Sequence, residues 1–173
     1  MKKIIYLFIA VVGLIFTSCE KDEIGGTTLK KMAGEWYVTA VAVNDDDSVI
    51  YSDDDLFGLG TFEILTYNSS SNSDTMFVDD KGVLWDFKVK AKVDLAKSIF
   101  LTPDTAANYN YNSGVLITNG KIIYGAAKTP SGMPADSIVF NVWFDDDDYP
   151  ETYGYTRYRV AGYRRTGFAA DEP

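Results

Sequence analysis

Ten consecutive residues, Trp85-Asp86-Phe87-Lys88-Val89-Lys90-Ala91-Lys92-Val93-Asp94, put an apolar side chain at every odd position and a charge at every even one. In an extended chain successive side chains point to opposite faces, so this segment buries one face and wets the other. A helix would spread the three lysines around its circumference. The pattern predicts a long antiparallel strand over 85–94, since one-faced burial belongs to antiparallel sheets.

Shorter runs with the same period follow along the chain. They predict strands over 36–43, 61–67, 76–78, 98–101, 137–144 and 153–165, with turn chemistry between them. Val115–Thr118 and Lys121–Tyr124 flank Asn119-Gly120, which reads as a two-residue hairpin turn because both residues accept positive φ. No convincing amphipathic helix stands out. The expected fold class is all-β, an antiparallel up-and-down β-barrel of about eight strands, with a sandwich as the competing architecture.

Both ends of the patterned region favour closure into a barrel. Gly34-Glu35-Trp36 opens the first strand and Arg164-Arg165 closes the last. This resembles the calycin arrangement, in which a Gly-x-Trp tryptophan plugs one barrel end beneath a late basic residue. The physics is a cation–π contact joining first and last strands, worth up to ~2 kcal/mol when desolvated. Trp36, Arg164 and Arg165 are therefore the expected closure residues, and either arginine is a candidate to meet the ring.

The N-terminus belongs to export. Lys2 and Lys3 precede a 13-residue apolar run, Ile4 to Phe16, too short to cross the ~30 Å hydrocarbon core as an ordinary helix. Phe16-Thr17-Ser18-Cys19 resembles the bacterial lipoprotein cleavage box, which implies acylation of Cys19. Several acyl chains on one residue satisfy the two-signal requirement for stable anchoring. Glu20-Lys21-Asp22-Glu23 resembles the charged export signal of Bacteroides-group lipoproteins, which implies an outer-membrane protein exposed at the cell surface. The expected organisation is a signal peptide over 1–18, a lipidated N-terminus and flexible tether over 19–32, a barrel domain over 33–168 and a tail over 169–173.

Composition then removes function classes. The chain has no histidine, and its one cysteine is Cys19. Ser-His-Asp and Cys-His nucleophilic sites, disulfides within the chain, and zinc sites built from Cys and His are thereby excluded. With Lys2 and Lys3 gone, 14 basic residues face 25 acidic ones, a net charge of −11. Such a chain is repelled by the nucleic-acid backbone, so no nucleic-acid partner is expected.

Several stretches resemble a family of Bacteroides-group lipoproteins labelled "lipid-binding putative hydrolase". They are Ala33-Gly34-Glu35-Trp36-Tyr37-Val38, Leu84-Trp85-Asp86-Phe87-Lys88-Val89-Lys90, Ala126-Ala127-Lys128-Thr129-Pro130-Ser131-Gly132, Ala135-Asp136-Ser137 and Gly162-Tyr163-Arg164-Arg165-Thr166-Gly167-Phe168. The resemblance covers most of 33–168. It implies a calycin-like, lipocalin-related barrel and lipid binding, and it carries over no catalytic residue.

The residues themselves support two functional readings. In the first, an apolar pocket inside the barrel, lined by Trp85, Phe87, Val89, Phe140 and Val142 with Tyr109 and Tyr111 at its mouth, holds a fatty acid or related lipid. In the second, large rings fill the interior and the loops engage an envelope protein or a glycan. The clusters Asp45-Asp46-Asp47, Asp53-Asp54-Asp55 and Asp145-Asp146-Asp147-Asp148 lack the spacing of an EF-hand loop and read as solvated charge. The lysine row 88, 90 and 92 reads as a wet strand face that discourages edge pairing. Lys128 and Ser131 lie among Pro130, Gly132 and Pro134, a loop with no burial to lower a lysine pKa. A hydrolase is the third reading. No metal, cofactor or catalytic set is expected.

Overall fold

The computed structural model describes residues 26–173 apart from Leu56 and residues 71–73, with only the backbone of Asp54. Its strands are β1 (Gly34–Val43), β2 (Val49–Tyr51), β3 (Phe62–Asn68), β4 (Thr75–Asp79), β5 (Lys88–Asp94), β6 (Ile99–Leu101), β7 (Ala106–Ala107), β8 (Gly114–Lys128), β9 (Pro134–Phe144) and β10 (Arg157–Arg164). Among the described residues one short α-helix, α1 (Tyr149–Tyr153), interrupts them. Eight strands form a closed antiparallel barrel in the order β1-β3-β4-β5-β6-β8-β9-β10, with β10 pairing back onto β1 from Trp36↔Arg164 to Val43↔Arg157. β2 pairs with the far end of β1, and β7 with the start of β8.

The expected barrel is thus the observed one, and its registers define two ends. At the base lie the start of β1, the β3–β4 and β5–β6 connections, the β8–β9 hairpin and the C-terminus. At the mouth lie the connections after β1, β4, β6 and β9. The alternation is realised in burial. Val89, Ala91 and Val93 of β5 point inward, as do Ile138, Phe140, Val142 and Phe144 of β9. Lys88 and Lys90 lie on the outer wall, where their ammonium groups sit 5.2 and 5.4 Å from the Phe77 ring centroid. Their stems cover outward aromatics, which a purely solvated lysine row would not do.

Three local expectations are corrected. First, Asn119-Gly120 does not turn the chain. β8 runs straight through it, with a bulge between Thr118 and Lys121 and Asn119 at φ +55°. A Cβ at Gly120 would lie 2.3 Å from the Phe100 carbonyl oxygen and 2.6 Å from the Phe100 ring, so the glycine serves a close approach rather than a hairpin.

Second, the 85–94 strand begins only at Lys88. Buried Asp80 accepts four backbone N–H groups, from Gly82 (2.9 Å) and Phe87 (2.8 Å) on Oδ1 and from Leu84 (2.9 Å) and Trp85 (2.8 Å) on Oδ2. This anchors a bend in which Asp86 adopts φ +46°, and it ends the alternation. Burial raises the Asp80 pKa, and the four amides pull against that rise.

Third, Tyr153 ends α1 rather than starting a strand. Gly154 takes the left-handed C-cap at φ +77° and donates to the Pro150 carbonyl.

Both termini of the domain are also more embedded than expected. Leu29 and Met32, placed by sequence in the tether, are fully buried in the core beside Trp36. The expected tail forms a 3-10 turn over Ala169–Asp171, whose buried Asp171 carboxylate accepts from Ser131 and from Thr166 Oγ1 at 2.6 Å. Glu172 accepts from the phenol of Tyr37 and from Arg165.

Candidate functional site

At the base, the geometry selects between the two arginines. The Arg164 guanidinium carbon lies 4.5 Å from the Trp36 ring centroid, while Arg165 lies 5.8 Å from that of Tyr37 and pairs with Glu35 and Glu172. Trp36 Nε1 donates to Thr66 Oγ1 (2.8 Å), which in turn donates to the Met32 carbonyl (2.7 Å). This end is sealed.

The interior is occupied by rings. Phe87, Phe100, Phe140, Phe144 and Tyr158 are all fully buried, with centroid separations of 5.7 Å for Phe100–Phe140, 5.4 Å for Phe87–Phe144 and 6.1 Å for Phe144–Tyr158. These are ordinary spacings for packed aromatic pairs. Phe87, Val89, Phe140 and Val142, expected to line a ligand, thus lie together in the core with no exposed surface. Trp85 is half-buried at the mouth, stacked on Phe144 at 5.6 Å and 18°, with its indole N–H donating to Asp146 Oδ1 (3.0 Å). Tyr109 and Tyr111 are 57% and 61% exposed, and Tyr109 turns onto Phe77 on the outer wall (5.1 Å). The structure does not bring these two tyrosines together with the core residues.

An open cleft of about 300 Å³ lies instead where the β2–β3 connection meets the segment after β9. Its walls are Tyr51, Asp55, Phe57, Tyr153 and Tyr155. The Tyr51 phenol donates to the Tyr153 carbonyl (3.2 Å), tying the two segments together. Its ring meets those of Tyr153 and Tyr155 edge-on at 6.4 and 6.1 Å. Asp55 ends a 3-10 turn over Asp53–Asp55 and accepts from the Ser52 hydroxyl (2.7 Å). Phe57 stands half-exposed against Tyr149 (5.1 Å) and adopts φ +60°, a conformation that costs a bulky residue about 1–3 kcal/mol.

Beneath the cleft, the Asp145–Asp148 run serves as a hydrogen-bonding hub rather than as solvated charge alone. Asp145 accepts the Gly114 amide (2.6 Å), and Asp147 accepts the Tyr158 phenol (2.6 Å) and the Tyr149 amide (2.9 Å). The Tyr155 and Tyr158 phenols share a hydrogen bond of 2.7 Å. Burial pushes the Tyr155 phenol up to about 12 and Tyr158 higher still, so both remain protonated donors across the physiological range. Asp45 and Asp47 pair with Arg157, and Asp47 also with Arg159. No group of three metal-ligating side chains occurs among the described residues. Ser131 directs its hydroxyl to Asp171 and lies 3.1 Å from Thr129 Oγ1, so its hydrogen bonds hold the C-terminal turn.

Sequence reasoning missed all five cleft residues. The signal was present as aromatic density in acidic loops: Tyr149, Tyr153 and Tyr155 follow one aspartate run, and Tyr51 and Phe57 bracket another. Cys19 lies outside the described residues. No curated protein matches the chain. The family model described as "Lipid-binding putative hydrolase" matches residues 21–169, and the chain belongs to that family.

Proposed function

We propose that this protein is an exported lipoprotein, acylated at Cys19 and displayed on the outer membrane, that binds a lipid or small amphiphile in the cleft at the barrel mouth. The observation that carries this reading is the aromatic cleft itself, about 300 Å³ between Tyr51, Asp55, Phe57, Tyr153 and Tyr155, above an interior already filled by phenylalanine rings. Apolar walls with one carboxylate and a few phenols suit binding and orientation. The buried Tyr155 phenol, whose pKa is raised by desolvation, stays protonated and is a poor base and nucleophile, which favours binding over hydrolysis. The described chain enters β1 at the base, the barrel end opposite the cleft, an arrangement that suits an N-terminal anchor and a free mouth.

The test uses the mature chain from residue 19, with Cys19→Ser to prevent acylation. It is exposed to a total membrane-lipid extract, isolated by gel filtration and examined for retained lipid by mass spectrometry. A stoichiometric lipid that Tyr153→Ala loses is expected. Retention unaffected by that change would move the site elsewhere.

The exposed pair Tyr109 and Tyr111 beside a filled interior favours a second reading, an accessory lipoprotein whose loops engage an envelope protein or a glycan. A folded protein that retains no lipid, yet loses a cell-surface partner on joint Tyr109→Ala and Tyr111→Ala substitution, would support it.

A further inference from the structure

The two segments that build the cleft are both acidic and carry no basic residue. Residues 44–61 carry six aspartates and no lysine or arginine, and residues 145–156 carry four aspartates and a glutamate, again with no basic residue. A hollow walled by four rings, Tyr51, Phe57, Tyr153 and Tyr155, and by the Asp55 carboxylate thus lies between two segments that together carry eleven acidic residues in sequence. Arg157 and Arg159, at the start of β10, are engaged by Asp45 and Asp47. Asp55 stands in the wall, and its Oδ2 takes the Ser52 hydroxyl, a neutral partner that does not cancel the carboxylate charge.

Aromatic faces carry negative electrostatic potential and attract cations within about 6 Å of the ring centroid, and several rings around one carboxylate recognise alkylated ammonium groups. An anionic head in the same place would meet Asp55 at short range and the like-signed field of both loops. Resting on the lipid-binding reading above, we propose that the cleft selects amphiphiles with a cationic ammonium head. The ammonium group lies against the tyrosine faces near Asp55, and the tail runs over Phe57 and Tyr149 toward Trp85, along the ring contacts of 5.1 and 5.9 Å.

The test titrates the mature Cys19→Ser chain by calorimetry with decyltrimethylammonium, decanoate and decyl maltoside, each below its aggregation concentration. Decyltrimethylammonium is expected to bind about tenfold more tightly than decanoate, with the ratio shrinking as salt rises. Asp55→Asn, at an exposed position where folding is unaffected, should bring that ratio close to unity. Tyr153→Ala should weaken both ligands. Equal binding of all three probes, or tighter decanoate, would overturn cation selection while leaving a lipid site in the cleft. An unchanged ratio in Asp55→Asn would overturn the carboxylate's role. No binding of any probe would overturn both this proposal and the reading on which it rests.

Discussion

Trp36 and Arg164 are direct strand partners across the β1–β10 seam, and the Arg164 guanidinium carbon sits 4.5 Å from the indole centroid. The same guanidinium donates to the Ala33 carbonyl (2.9 Å) and the Lys31 carbonyl (3.1 Å), so one side chain joins the first strand, the last strand and the entering chain. Gly34 makes room for it, since a Cβ there would lie 3.0 Å from Nη1.

Arg164→Ala is therefore expected to destabilise the barrel by about 2 kcal/mol, and Arg165→Ala, whose ion pairs with Glu35 and Glu172 are exposed, by less than about 1 kcal/mol. Urea denaturation of the two variants decides this. Equal effects would mean that the ring contact adds nothing to the seam.

Gly162→Ala is expected to cost more than about 3 kcal/mol or to prevent folding, at the upper end of overpacking effects. A Cβ at that position would lie 1.9 Å from the Tyr37 carbonyl oxygen, and backbone in the barrel seam has nowhere to move. A soluble, cooperatively unfolding G162A protein with near-parental stability would show that the seam is looser than described.

Tyr158→Phe removes the phenol that joins Asp147 to Tyr155 beneath the cleft. Loss of about 1–3 kcal/mol is expected, because the buried Tyr155 phenol and the half-buried Asp147 carboxylate are each left short of a hydrogen bond. The check is the thermal midpoint of Tyr158→Phe compared with that of an exposed control, Tyr111→Phe, which should be unchanged.

Acid should loosen the C-terminal turn. Hydrogen bonds from Ser131, Thr129 and Thr166 hold the Asp171 carboxyl at about 2, below its ordinary value of 3.8. A carboxylate with a depressed folded-state pKa contributes stability that is present above its unfolded value and is lost as pH falls. The contribution of Asp171 should thus be whole above about pH 4 and fade between about pH 4 and 2. Denaturation midpoints measured down this range should fall less steeply in Asp171→Asn than in the parent. Parallel curves would count against the assignment.

Phe140→Leu and Tyr153→Ala should separate core from cleft. The first enlarges a packed interior and should cost about 1–3 kcal/mol with ligand affinity within about twofold of the parent. The second truncates a half-exposed ring and should weaken binding severalfold with little change in stability. The reverse pattern, in calorimetry and urea unfolding, would return the ligand to the barrel interior.

Period-two alternation made Val89, Ala91 and Val93 legible as core, and the Gly-x-Trp start with its terminal arginine pair made closure legible, because both are properties of residues a few positions apart or at the two seam strands. The Asn119-Gly120 dipeptide misled because its left-handed propensity is local, whereas its use as a bulge depends on Phe100 arriving from another strand. Trp85 to Phe87 misled for the same reason, since Asp80 captures their amides across a bend.

By itself, then, the sequence determined an acidic all-β chain and a barrel whose inward residues alternate along each strand, because strand geometry turns every second side chain to one face. Only the tertiary structure decided which arginine covers Trp36, that the rings fill the interior, and where the open cleft lies. Tyr51 and Tyr153 are separated by 102 positions and meet because closure of β10 onto β1 sets the register that brings their loops together at the mouth. Register and closure are collective properties of all eight strands, and no short stretch of sequence carries them.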